Sequence, residues 1–352
     1  MRIVAVGQAL PEHVHTREEV LEKLVSLWGD EPRLLERVAA LHAHTGVRTR
    51  HFALPLDAYA GLDTFGRKNE AYLRCALELG QRAIEDALCR VDLRPGDVDL
   101  FLATTITGVA CPSIDARLMN RLPFRTDCKR LPLFGLGCVA GAAGIARAAD
   151  YLRAFPRGVV LLLAVELCSL TFQRQDRSMA QFVGTGLFGD GAAAVVMIGA
   201  ERARSMGLAG PDVSATRSVF YPDTEGIMGW DITELGFRLL LSPRVPELAR
   251  ERLGPDAKAF LNDHGLAPGD VRRWIAHPGG PKVLAAVEEA LGLAPTDLRS
   301  SRSVLERVGN LSSASVLLVL REVLTDPPSP GSAGLLFAMG PAFCSELVLL
   351  RW

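Results

Sequence analysis

The stretch Gly158–Val165, GVVLLLAV, contains no polar side chain. A strand with one wet face alternates apolar and polar residues, so a run without alternation needs cover on both faces. It reads as a central strand in a sheet flanked by helices. The neighbouring sequence fits that demand. Leu73, Leu77, Ile84 and Leu88 recur at helical spacing within 70–88, and Asp97–Thr104 and Leu131–Leu136 read as strands. An Ala-rich helix is expected from Cys138 to about Leu152. The order β–α–β–α predicts a layered α/β fold with helices covering central sheets.

The second half repeats the rhythm. A helix is expected over 245–264, a short strand ending at Trp274–Ala276, helices over 280–291 and 312–324, and strands at Gly334–Ala338 and Glu346–Arg351. Gly186–Ile198 (GLFGDGAAAVVMI) and Gly334–Leu350 both read as strand, glycine turn, strand, an echo that suggests two similar halves. The seam is expected in 200–232, which is rich in turn residues, and Asp326–Ser332 (DPPSPGS) reads as a surface loop.

Composition removes several classes of function. The formal net charge is −1, which gives no electrostatic reason to expect nucleic acid or an anionic membrane as partner. Lysine occurs only at Lys23, Lys68, Lys129, Lys258 and Lys282; the other basic residues are arginine. The seven cysteines show neither a CxxC pair nor zinc spacing, so neither a disulfide framework nor a metal site is expected. MRIVAVGQALPEH reads as a first strand rather than a signal peptide. The uncharged run Leu131–Ala146 is too short and too rich in Gly and Ala to span a bilayer. A soluble cytoplasmic protein without membrane insertion is the expectation.

Three residues stand in settings that suggest chemistry. Cys138 lies in LFGLGCVAGAAG, an apolar strand, a glycine turn and a helix of small residues. A thiol at a helix N-terminus is favoured as thiolate by the partial positive charge there, although a buried core cysteine could have the same flanks. His277, in WIAHPGGPKVL, follows a short strand on a turn constrained by Pro-Gly-Gly, whereas the other six histidines read as surface or loop residues. Asn310, in ERVGNLSSAS, stands at the start of a helix, where a helix cap is an equally good reading. His277 follows Cys138 by 139 residues, and Asn310 follows His277 by 33.

Taken together, the stretches GLGCVAGAAG, AVELCSLTF, GLFGDGAAAVV, WIAHPGGPKVL, GNLSSAS and GPAFCSELVLLRW resemble type III polyketide synthases of the chalcone and stilbene synthase group. They span 131–352, with a weaker match at TGVRTRH, Thr45–His51. The resemblance implies a layered αβαβα thiolase-like fold of two similar halves, 1–205 carrying Cys138 and 206–352 carrying His277 and Asn310. It implies iterative decarboxylative condensation of malonyl-CoA onto an acyl-CoA starter, giving pyrones or resorcinol-type aromatics, with no cofactor beyond the CoA thioesters. Cys138 would be the nucleophile. His277 would pair with its thiolate and, with Asn310, hold the enolate oxygen. Phe188 and Phe237 would be gatekeepers, and Cys168, Thr171 and Ser312 would line the cavity. Cys111 would reach into the neighbouring subunit of a homodimer. Arg37 would contact CoA phosphates.

The sequence also departs from the family pattern. Ala40 and His44 stand where two further phosphate-binding cations would be, and Arg48, Arg50 or Lys282 are the candidates to compensate. Ala342 replaces a glycine in the loop that shapes the cavity wall, and a position usually small in plant enzymes lies near Met228–Trp230. Cys168, Thr171 and Met339 are not plant-like, which points to a fatty acyl starter. Two other readings stay open: a single condensation of the ketoacyl-ACP synthase III kind, and an inactive scaffold of the same superfamily.

Overall fold

A computed structural model describes residues 1–29 and 32–352. Nine strands carry the architecture: β1 (Arg2–Ala9), β2 (Leu100–Thr104), β3 (Lys129–Leu133), β4 (Val159–Leu167), β5 (Asp190–Ile198), β6 (Asp212–Phe220), β7 (Val271–Ala276), β8 (Ala333–Gly340) and β9 (Cys344–Arg351). Nine helices matter for the site and its support: α1 (Arg17–Trp28), α2 (Pro32–Ala43), α3 (Phe65–Cys89), α4 (Ala140–Ala154), α5 (Met179–Leu187), α6 (Gly254–Asn262), α7 (Pro281–Leu291), α8 (Arg299–Val308) and α9 (Ser315–Thr325).

The apolar run behaves as its composition demands. Every residue of β4 is buried, with parallel β2 on one side and antiparallel β5 on the other. The strands are ordered β7-β8-β9-β6-β1-β5-β4-β2-β3. The N-terminal five, read from the edge, run β3-β2-β4-β5-β1. The C-terminal four run β7-β8-β9-β6 with matching directions, since β8 is parallel to β7 and β9 is antiparallel to both β8 and β6. The two sets meet at one pairing, Arg2 with Asp212.

Five layers follow from how the cores divide. The helix α3 buries its long apolar face on the outer side of the N-terminal strands, through Ala76, Ala83 and Ile84 against Leu161, Leu163 and Val196. The helices α4 and α9 form the central layer. Their residues Ala142, Ile145, Val316 and Leu320 share one core with Leu162 and Val195 from one half and Leu336 and Val348 from the other. The helices α6 and α7 cover the far side of the C-terminal strands, with Phe260, Leu284 and Val287 against Trp274, Leu335 and Leu347. Where a helix lies between two sheet surfaces it has no wet face, which explains the buried Ala- and Gly-rich run Ala140–Ala146 of α4 and the buried run Ser315–Leu320 in α9; farther along α4, Arg147, Asp150 and Arg153 reach solvent.

Several expectations are corrected. The echo at Gly186–Ile198 is not strand–turn–strand, because its first arm is the end of α5; the repeat lies in strand order. Within 200–232, where the seam is expected, the turn-rich reading gives way at Asp212–Phe220, which forms the regular strand β6. The region 245–264 is broken by a π-helical turn at Ala249–Leu253. The strand expected at Leu131–Leu136 is the edge strand β3, ending at Leu133.

Candidate active site

The site lies where the C-terminal ends of strands from both halves converge on the start of α4. After β3 the chain turns through Gly135 (φ +94°) and Gly137 (φ +55°) into a single 3₁₀ turn, Gly137–Val139, which carries Cys138 and runs into α4. Glycine is needed here for space as well as for φ. A Cβ on Gly137 would lie 2.6 Å from Pro341 Cδ, and one on Gly141 would lie 2.3 Å from the Ser313 carbonyl oxygen. Both neighbours belong to the C-terminal half, so these glycines let its loops close on the cysteine.

The Cys138 thiol points to the Ser312 hydroxyl at 3.5 Å. Ser312 is held at φ +46°, and its backbone N–H donates to Asn310 Oδ1 at 2.8 Å. The Asn310 backbone is pinned to the turn bearing Phe188: its N–H donates to the Leu187 carbonyl at 2.9 Å, and its carbonyl accepts from Gly189 N–H at 3.0 Å. With Oδ1 engaged as acceptor, Nδ2 is the group Asn310 can offer as a donor. The helix-cap alternative for Asn310 becomes a local turn at Ser312, before the single 3₁₀ turn that precedes α9.

His277 follows β7, where its N–H donates to the Phe337 carbonyl at 3.0 Å. The neighbouring strand β8 ends at Gly340, where a Cβ would lie 2.5 Å from the Leu136 carbonyl oxygen, so this corner also abuts the cysteine loop. The imidazole is buried, and among the described residues neither ring nitrogen has a hydrogen-bond partner. Burial pushes its pKa down to about 4. Burial, reinforced by the Glu166 carboxylate and opposed by the Ser312 hydrogen bond, pushes the Cys138 thiol up to about 11. The expected lowering at a helix N-terminus is outweighed, because desolvating a thiolate costs more than a partial helix charge returns.

Sequence reasoning misses Glu166, although a glutamate ending an otherwise apolar strand is a signal. It is fully buried; its carboxylate accepts from Ile106 N–H (3.1 Å), Thr107 Oγ1 (2.9 Å), Thr105 Oγ1 (3.4 Å) and Ser313 Oγ. Burial, against these hydrogen bonds, raises its pKa to about 7. It joins the loop after β2 to the Ser312–Ser313 segment that faces Cys138.

Two cavities adjoin. Cys168 and Thr171, on a 3₁₀ turn after β4, line one of about 70 Å³ together with Phe188, Arg50 and Val20. Phe237 and Ala342 line the other, about 240 Å³, with Gly135 and Met228. Trp230 lines both, its ring centroid 6.4 Å from that of Phe188 and 6.1 Å from that of Phe237. It lies in a β-hairpin within the stretch whose periodicity is weak, so only the tertiary arrangement reveals its position between the two phenylalanines. Cys111 is exposed on the loop after β2. Arg37 and Lys282 are exposed and line neither cavity. Arg50 is corrected as a phosphate candidate: it is 1% exposed and donates to the carbonyls of Thr185 and Phe188.

The fold thus places Cys138 at the seam between two related halves, within reach of loops from both. The family model described as chalcone and stilbene synthases, N-terminal domain, matches residues 1–202, and its C-terminal counterpart matches 212–352. The chain is 51% identical to a 1,3,6,8-tetrahydroxynaphthalene synthase of Streptomyces peucetius subsp. caesius, covering 99% of this chain and 93% of that one. It is 36% identical to a putative chalcone synthase of Bacillus subtilis (strain 168), covering 99% and 98%. The crystal structure of 1,3,6,8-tetrahydroxynaphthalene synthase from Streptomyces coelicolor A3(2), described as a bacterial type III polyketide synthase, superposes with a TM-score of 0.94 at 34% identity, covering 100% and 99%. The chain belongs to the chalcone and stilbene synthase family. It is a type III polyketide synthase, an acyltransferase whose reaction is iterative condensation of malonyl-CoA units. Among the described residues no helix is long and apolar enough to cross a membrane.

Proposed function

We propose that Cys138, His277 and Asn310 carry the condensation. The observation that supports this most is the Cys138–Ser312–Asn310 hydrogen-bonded chain, together with the buried His277 imidazole, whose two nitrogens have no partner among the described residues. A buried ring with unpaired nitrogens is costly unless a substrate uses them.

The Cys138 thiol passes its proton to His277, and the sulfur attacks the carbonyl carbon of an acyl-CoA. The carbon–sulfur bond to CoA breaks, and the departing thiolate takes the proton from His277. Malonyl-CoA then loses carbon dioxide, leaving its electron pair as an enolate. His277 and the Asn310 amide donate to the enolate oxygen in a site shielded from water. The enolate carbon attacks the acyl carbonyl on Cys138; a carbon–carbon bond forms, the bond to sulfur breaks, and the extended chain leaves on CoA. Cys138 departs as a thiolate and regains its proton from solvent through His277, so each extension consumes one proton and releases one carbon dioxide. Phe188, Phe237, Cys168, Thr171 and Ser312 bound the space in which the chain grows, and Arg37 with Lys282 serves the CoA phosphates from the surface. The loop after α2 meets α7 at Gly46 and Pro281, which supports a shared role for those two cations.

The product is a polyhydroxylated aromatic, supported by the 51% identity to a synthase named for a tetrahydroxynaphthalene; pyrones and alkylresorcinols from a fatty acyl starter are the competing products. The enzyme is a cytoplasmic homodimer joined along the open edge of β3, where Leu131 and Phe134 are exposed and Cys111 faces out. Mass spectrometry of Cys138 acylation and of products, over a panel of starters with malonyl-CoA, tests the assignment. Cys138→Ala should make no polyketide. Asn310→Ala should keep acylation better than decarboxylation, and the reverse pattern would move Asn310 from the enolate to the loading step.

A further inference from the structure

The larger cavity, about 240 Å³, has walls from separate elements. On one side stands a hairpin, Met228–Thr233 paired with Gly236–Leu241, which lines the cavity with Trp230, Phe237 and Leu240. Opposite it are Ile106, on the loop after β2, and Phe134 and Gly135, on the loop before Cys138. Among the described strands the hairpin pairs only with itself, so no sheet ladder sets its distance from the opposite wall. Side chains must do so.

The start of α3 supplies them. Phe65 packs edge-on against Phe237, ring centroids 5.4 Å apart, and a Cβ on Gly236 would lie 3.2 Å from its ring. One turn further along, Lys68 Nζ donates to the Leu235 carbonyl at 3.1 Å, in the turn that joins the two hairpin strands. The adjacent Asn69 amide donates to the Val109 carbonyl (2.9 Å) and accepts from the Val109 N–H (2.8 Å). The Tyr72 ring lies so close to Gly108 that a Cβ there would be 2.1 Å from Cδ1. Gly108 and Val109 follow Ile106 on the loop after β2. Adjacent residues of one helix thus grip both walls.

Lys68 is the costly member of this set. It is 7% exposed, and burial lowers its pKa to about 8 against the pull of Asp63. An aliphatic side chain would fill the same space without desolvating an ammonium. What the lysine adds is a directed, charge-assisted bond to the hairpin turn.

We propose that Lys68 is a positioning residue for chain extension: by pinning the hairpin turn to α3, beside the Asn69 clamp, it fixes the width of the larger cavity. This rests on the reading that Phe237 bounds the space in which the chain grows. A hairpin released from α3 leaves the chain room to fold and lactonise before extension is complete.

The test uses the enzyme with malonyl-CoA and a hexanoyl-CoA starter. Lys68→Met keeps the volume and removes the donor. The ratio of early-released lactones to full-length product, read by liquid chromatography with mass detection, should rise about three- to tenfold for one lost hydrogen bond. The rate of Cys138 acylation, read by intact-protein mass spectrometry, should stay at the wild-type value. Lys68→Arg keeps a donor and should hold the wild-type ratio. A role in stability alone would lower the melting temperature of Lys68→Met and leave the ratio untouched, which overturns the proposal. So does a Lys68→Arg ratio equal to that of Lys68→Met. If Lys68→Met does not fold, Asn69→Ala releases the opposite wall and should raise the same ratio, and a wild-type ratio there overturns the proposal. Wild-type products from Phe237→Ala would instead overturn the reading that Phe237 bounds the chain, so the two failures are distinguishable.

Discussion

Glu166→Gln should make the protein progressively more stable than the wild type as pH rises. In the wild type the Glu166 carboxyl lies in a fully buried niche that raises its pKa from an ordinary 4.5 to about 7. A raised carboxyl favours the folded state fully below pH 4.5 and loses that contribution as pH climbs through about 7, where the folded protein must hold a buried anion. At about 1.4 kcal/mol per pH unit of difference, the loss totals about 3 kcal/mol. Glutamine mimics the protonated acid: its carbonyl oxygen can accept from Ile106 N–H and Thr107 Oγ1, while its amide donates to Ser313 Oγ, a hydroxyl able to accept. Asp190, His277 and His42 also titrate with shifted values, but they are present in both proteins and cancel in the difference. Urea unfolding of both proteins at pH 4.5 and pH 8 gives the comparison. The variant's advantage should grow by about 3 kcal/mol between those two values. A difference that stays flat would show that Glu166 is ionised in the folded state throughout, and the reasoning from burial would be refuted.

Inactivation by iodoacetamide should track the Cys138 thiolate, which burial holds back to about 11; labelling rates should still climb between pH 7 and 9, whereas a plateau near neutral pH would mean that protonated His277 already pairs with the thiolate. Cys168→Phe should fill the smaller cavity and shorten the product while leaving starter loading intact, and wild-type chain length would remove Cys168 from the wall. Gly7→Ala should destabilise the fold by about 1–3 kcal/mol without a separate effect on catalysis, because its Cβ would lie 2.4 Å from the Ala83 carbonyl oxygen where α3 crosses β1; a melt unchanged from wild type would contradict that close approach.

The sequence alone determined the buried strand, and with it the layered class. A run as apolar as Val159–Val165 tolerates only one environment, and the strands and helices around it are local periodicities. It also pointed to Cys138, His277 and Asn310, less through their local turns, which left a core cysteine and a helix cap as open readings, than through the resemblance of the stretches that carry them to one family. Tertiary structure decided what those residues experience. Desolvation depends on atoms brought from distant parts of the chain, so the high thiol pKa of Cys138 and the unpartnered ring of His277 could not be read from flanking residues. The same holds for Trp230, which divides two cavities from an irregular stretch, and for the relation between halves, which lies in strand order rather than in similar words. Arg50 is the sharpest case. As a letter in TGVRTRH it looks like a surface cation ready for phosphate; in the fold its neighbours are Thr185, Phe188 and Gly309, more than a hundred residues away, and they bury it. Burial is a property of long-range contacts, and long-range contacts exist only once the chain has folded.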